Sequence, residues 1–508
     1  MQEGLIEEAS VFSPSSVLKP WWALFLTTLI GAIIFFVPTM LNTDVFFYWD
    51  TPTYINGAEM GAVRLLGEHA RLTPSTSLEK LHPTAAGAIT STNAGVYIAG
   101  RSVYYGALLF ASAMAGSLMI AAAVQALAVS YTILLFFRTF LPGKGGYALI
   151  SMAVLMIVTP LGYFVGLMMP DVFTGVIVLL ITTLLYGWCR LCRIDRIIAF
   201  VILSFAMLAH NSHPPLAILL VMTGCAFARF WRFAEVPLLR PAMLVVVAVG
   251  VGLAGEVVFA RVATQAIGAP PIRLPFLVAH LQEMGPGKTY LEHHCPQAHF
   301  EICNDLAKLP VDWRDFMFST DPATGVFAVA DAATKRRISD EQVAFALAVL
   351  KDQPVATIKG LATAFAQQLT MFRVQEVYIL GAVAPRLPPA EYRRAMRSMI
   401  ASPGKIETVL TISTYVTLIL SVLILLTAIV RARTLGVTGA STLLWPATAL
   451  VIAGLVINAA VCGIVASPYD RFQARVIWLL PLLALAHLAV RRYRPIRSSS
   501  RVLPSEAS

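Results

Sequence analysis

Charged side chains are scarce in this chain: Asp, Glu, Lys and Arg supply 13% of its 508 residues while 57% are hydrophobic. An ordinary soluble domain is about one quarter charged. That shortage excludes a soluble globular protein and predicts an all-α polytopic membrane protein. Acids within the apolar runs are rarer still, Glu256 being the nearest case, and no internal repeat is visible. Both absences argue against a transporter, whose ionisable groups would lie near the bilayer midplane on repeated halves. Residues 1–20 lack the basic head and the small-residue cleavage site of a secretory signal, so the first apolar run is expected to stay as an anchor. The segment Gly285-Pro-Gly-Lys-Thr289 lacks the leading glycine of a nucleotide phosphate loop, having Gln282 there. The net charge of +10 calls for no nucleic acid, because the clustered Lys and Arg fall in short loops between apolar runs.

What is present is a series of runs near the ~20 residues that cross about 30 Å of hydrocarbon. They fall at 21–41, 103–137, 147–169, 172–188, 197–209, 215–227, 243–260, 406–430, 443–465 and 476–490, giving ten expected spans. The chain divides into a cytoplasmic amino terminus (1–20), a transmembrane region (21–260) with a first extracytoplasmic loop (42–102), and a large helical extracytoplasmic domain (261–405). Carboxy-terminal spans (406–490) and a basic cytoplasmic tail (491–508) follow. With the amino terminus inside, every basic cluster lands on the cytoplasmic side. The opposite side then receives Asp44, Asp50, Arg101, Asp171, His210, His213, Asp470, Arg471 and Arg475. Within the outer domain, 340–350 and 354–372 show helical spacing, with Pro354 at a start. Phe276, Leu277 and Leu281 beside Arg273 and His280 predict a helix lying along the membrane surface.

Convergence of polar residues at one membrane face is the signature of a catalyst working there. Carboxylates near hydrocarbon are functional candidates by default, and Asp44 and Asp50 frame the aromatic stretch that ends the first span. Asp50 opens Asp-Thr-Pro-Thr-Tyr54, and Thr51-Pro52 is expected to form a turn whose amides hold the carboxylate. Arg101 offers the rigid donor fork that suits phosphate. Arg471 and Arg475, four apart, share one face of a helix on the side where the charge rule does not place them. Asp171 stands in a Pro-Asp turn, and His210 and His213 flank another, either as helix caps or as pocket lining. Cys295 and Cys303 are expected to pair as a disulfide in an oxidising compartment, with zinc held alongside His293, His294 or His299 as the alternative.

The anchor span, the acid-bearing loop with its D-T-P-T-Y turn, the Gly-Arg-Ser-Val-Tyr-Tyr-Gly element, the outward Pro-Asp and His-bearing turns and the late outer helical domain together resemble the GT-C superfamily of integral-membrane glycosyltransferases. The likeness is one of layout across most of the chain. Members, including protein mannosyltransferases and the aminoarabinose transferases of lipid A, use polyprenyl-phosphate-linked sugars. The resemblance implies a loop-one acid as catalytic base, with Asp50 the best match and Asp44 second. It further implies Arg101, Arg471 and Arg475 on the lipid phosphate, and Tyr54, Asp171, His210 and His213 in the substrate pocket. Many members carry adjacent acids in the first loop, whereas Asp44 and Asp50 are six apart here. The implied setting is a bacterial inner membrane with the site facing the periplasm, and the implied acceptor is a glycan, lipid or protein. No cofactor is called for, and no residue pattern specifies a divalent metal. The competing readings are an O-antigen ligase or polymerase, which leans on arginine and histidine, and a transporter or flippase.

Overall fold

The computed structural model describes residues 21–72, 100–231, 237–435 and 443–490. The expected cytoplasmic amino terminus, the basic tail and residues 73–99 of the first outer loop lie outside those residues. The described chain is helical throughout, with one isolated bridge between Phe46 and Leu167. Among the described residues eight helices are long and apolar enough to cross a membrane: Trp22–Asn42, Met119–Phe140, Val172–Arg190, His213–Phe230, Leu239–Ala266, Ile406–Thr434, Leu444–Val465 and Asp470–Val490. Val172–Arg190 is almost wholly buried at the centre, whereas Ile406–Thr434 keeps most of its apolar surface outward, as a lipid-facing helix does.

Among the described residues the runs 147–169 and 197–209 do not form such a helix and the run 103–137 is divided, each for a local reason. The run expected as one long second span is two helices, Val103–Met114 and Met119–Phe140. Gly116 at φ 108 makes the turn between them, a conformation glycine adopts without strain. The run 147–169 forms Gly145–Val158 and a short Leu161–Gly166. Pro160 ends the first of these: it has no N–H to continue the ladder, and it holds Thr159 extended. The expected span 197–209 is Arg193–Ala209, which begins with charged residues.

The outer region is also divided differently. Leu239–Ile267 runs past residue 261 and stops at Gly268, at φ 83. A second, smaller core gathers Ile272, Leu281, Leu291, Phe316, Phe327, Phe345 and their neighbours. Val374, Val377, Leu380, Val383, Leu387 and Ile400 belong instead to the main core. The helix Phe276–Met284, expected along a membrane surface, turns its apolar face inward: Val278, Ala279 and Leu281 are buried in the small core, while buried His280 bonds Ser467 and Gln282 bonds Val311.

Candidate functional site

The loop after the first span is built into the bundle rather than resting on it. Asn42 Nδ2 donates to the carbonyls of Asp44 (2.8 Å) and Val45 (3.2 Å), and its Oδ1 accepts from Ile400 N (3.1 Å). Phe46 N donates to Gly166 O and Met168 N to Phe46 O, both at 2.9 Å, so the break made by Pro160 supplies backbone for this loop. Thr51 Oγ1 accepts from Tyr48 N (2.9 Å) and donates to Met168 O (3.1 Å). Thr51 and Pro52 do not form a separate turn. They start the helix Thr51–Leu66, where proline is preorganised for the first turn.

Asp50 is the residue before that helix, yet its side chain does not cap it. The carboxylate instead takes Arg101 Nη2 at 2.5 Å, and both side chains are largely buried. This pairing follows from helix packing. Val103–Met114 lies against Thr51–Leu66, and a Cβ on Gly106 would stand 2.4 Å from Tyr54 O, so only glycine permits the approach that sets Arg101 beside Asp50. Arg386 joins from the outer region, donating Nη2 to Trp49 O at 3.2 Å.

A second buried pair adjoins the first. Asp171, 1% exposed, faces Arg475 Nη1 at 3.4 Å and Arg471 Nε at 3.6 Å. The short helix Asp470–Ala474 and its following residue bring both arginines to it. Arg475 also reaches Asn458 Oδ1 (3.3 Å), and Arg471 lies over the Tyr48 ring at 4.0 Å. Tyr54 is buried edge-on to Tyr105, and burial pushes its hydroxyl up, against the pull of Arg101 and with the push of Asp50 and Asp171.

The histidines divide in role. His213 is fully buried, with Nδ1 at 2.7 Å from Ala206 O and Nε2 at 3.1 Å from Thr174 Oγ1, which makes it a helix-joining residue. His210 is half-buried, and burial, then His213, Arg475 and Arg101, hold it well below the usual imidazole range. Its Nδ1 accepts from Ser212 N at 3.1 Å, so the neutral ring carries its hydrogen on Nε2 and is a donor rather than a base.

Asp44 is held apart from Asp50. Its Oδ1 accepts from Val45 N at 2.8 Å and its Oδ2 has no partner. Around it stand Glu391, itself buried, and Arg394, which bonds Glu391. Burial pushes Asp44 up to about 6 and Glu391 up to about 7, each partly offset by Arg394.

Residues that sequence reading passed over complete the site. Glu376 accepts hydrogen bonds from both Tyr48 and Tyr469, and Tyr48 carries Arg471 on its face. Glu376 has φ 61, a left-handed backbone that a non-glycine residue rarely keeps outside functional loops. No sequence signal marks it. Cys295 and Cys303 are joined as a disulfide, and their sulfurs are thereby withdrawn from any zinc set. Among the described residues no cluster of three or more His, Cys, Asp or Glu is arranged to hold a metal ion. No known protein family, curated protein or solved structure matches the chain.

Proposed function

We propose that this protein is a membrane glycosyltransferase moving a sugar from a polyprenyl-phosphate-linked donor to an acceptor hydroxyl at the extracytoplasmic face. One observation carries the reading: buried guanidinium donors with no protein acceptor converge at one end of the bundle. These are Nε and Nη1 of Arg471, Nε of Arg475 and Nε of Arg101. Leaving buried donors unmatched costs about 1–3 kcal/mol each, and phosphate oxygens are the acceptors that guanidinium groups bind best.

The acceptor oxygen attacks the anomeric carbon, and the carbon–oxygen bond to phosphate breaks. The bonding pair leaves with polyprenyl phosphate, whose charge the arginines stabilise. The acceptor proton goes to a carboxylate, and this reading gives the role to Asp50, the partner of Arg101, while Asp171 stays between Arg471 and Arg475. Donor phosphate competes with Asp50 for Arg101, so donor binding releases the base that the reaction needs. His210 Nε2 supplies a further neutral donor.

The test is transfer by detergent-solubilised protein, where no second compartment exists, from a panel of radiolabelled polyprenyl-phosphate sugars to membrane extracts. Label should move to an acceptor and stay behind in Asp50→Asn. Vectorial movement of the donor in proteoliposomes, with no transfer in detergent from any donor, would replace this reading with a flippase.

A further inference from the structure

The outer region carries an apolar surface that neither hydrophobic core uses. The helices Ala332–Asp352 and Pro354–Gln368 join at Gln353, and on them Val343, Leu347, Leu350, Val355 and Ile358 point outward. Val355 is 79% exposed and Ile358 60%, values typical of the lipid-facing side chains of Ile406–Thr434, such as Ile412 at 59%. Val343, Leu347 and Leu350 follow one another at four and three residues, hence along one face. Exposed Lys351 and Lys359 flank the patch; of the nearby acids, Asp352 pairs with His294 at 3.1 Å and exposed Asp340 stands at the far end of the stripe, before Val343.

Position identifies what covers it. Pro354–Gln368 packs along the span Leu444–Val465: a Cβ on Gly463 would meet Gln368 Cβ at 2.9 Å and Ala364 O at 3.1 Å. On the same span Ile464 and Val465 remain exposed, so the apolar surface of the bundle continues onto this helix. An apolar face with lysines at its margin is the pattern of a helix seated at the boundary of headgroups and acyl chains. We infer that the hairpin of residues 332–368 is seated in the outer leaflet of the bilayer that the spans cross, with Leu347, Val355 and Ile358 among acyl chains and Lys351 and Lys359 among anionic headgroups. This reassigns the membrane-surface helix from 276–284 to 354–368.

The seating has a consequence for the site. Gln368 Nε2 donates to Tyr469 O at 3.0 Å and its Oε1 accepts from Tyr469 N at 2.9 Å, and Glu376 follows eight residues on. A leaflet-embedded hairpin therefore fixes the height of Tyr469 and Glu376 against the membrane, the level at which a lipid-borne phosphate lies.

Photo-crosslinking tests this without reference to activity. The full-length protein, with p-benzoylphenylalanine in place of Val355 or Ile358, is reconstituted in phosphatidylethanolamine and phosphatidylglycerol vesicles, irradiated and weighed for phospholipid adducts. Ile412 serves as the lipid-facing control and exposed Glu292, on the small core, as the aqueous one. Adduct yields at 355 and 358 should come within about threefold of Ile412 and exceed Glu292 by about tenfold. Yields no higher than at Glu292, or adducts to protein in place of lipid, would overturn the inference.

Discussion

Burial of Asp44 and Glu391 gives stability a contribution that falls as pH rises from acid to neutral. Burial raises Asp44 from 3.8 to about 6, the larger influence, with Val45 N and Arg394 acting against it. Glu391 rises from 4.5 to about 7 by the same cause. An acid whose folded value lies above its unfolded value holds a proton more tightly when folded. Its contribution favours folding below about pH 4 and is lost as pH climbs toward 7, where both carboxyls ionise. Taken alone, the displacement at Asp44 is worth roughly 3 kcal/mol. The two acids share Arg394 and titrate together, so the displacement belongs to the pair and is not apportioned between them. Asp44→Asn keeps the shape while removing the charge. In detergent, followed by tryptophan fluorescence, the Tm of Asp44→Asn relative to wild type should rise as pH is raised from about 5.5 to 7.5; the comparison isolates Asp44 from His210 and His280, whose burial gives stability the opposite slope. Identical slopes in the two proteins would mean that Asp44 is ionised throughout, and the reasoning from burial would fail.

The remaining predictions concern transfer. Asp50→Asn should lower turnover by about 10²-fold to 10⁴-fold with donor binding retained or improved, since Arg101 is then free for phosphate; near-normal turnover would remove Asp50 as base. Arg471→Ala should weaken donor binding and turnover together, because a phosphate contact acts in ground and transition states alike, and unchanged binding would take Arg471 off the phosphate. Glu376→Gln keeps a partner for the two tyrosines and is expected to reduce turnover by roughly tenfold with the fold intact, whereas a loss of thermal stability alone would mark Glu376 as structural.

The membrane class was legible because it rests on composition and on run length, properties the sequence states directly. Span limits were less legible where one residue decides them. Gly116 and Pro160 each divide an apolar run that hydropathy alone reads as continuous. The site shows the same division. Arg471 and Arg475 could be read from their spacing, because helical geometry sets i and i+4 on one side. The partnership of Asp50 with Arg101 is not written locally. It depends on the fit of Gly106 against Tyr54, a contact between segments some fifty residues apart. Reading Asp50 as held by its own turn erred because a carboxylate at a helix start has two kinds of donor to choose from, and here a buried guanidinium prevails over backbone amides.

Glu376 shows why the least legible residue bears most directly on mechanism. Its surroundings in sequence, Val374-Gln375-Glu376-Val377, resemble any amphipathic stretch. Its left-handed backbone costs on the order of 1–2 kcal/mol, and such strain persists only where surrounding structure over-determines it. Here the determinants are Val374 N on Thr411 Oγ1 at 3.1 Å before it and Val377 N on Glu407 Oε1 at 2.6 Å after it, both anchored to the span Ile406–Thr434. The strained residue then holds Tyr48 and Tyr469, and Tyr48 holds the face of Arg471, whose Nε and Nη1 lack acceptors. Backbone strain and unmatched donors thus meet along one chain of contacts. Arg471 is thereby held between the Tyr48 ring and Asp171, and in the proposed function its Nη1 is the donor left for a phosphate oxygen.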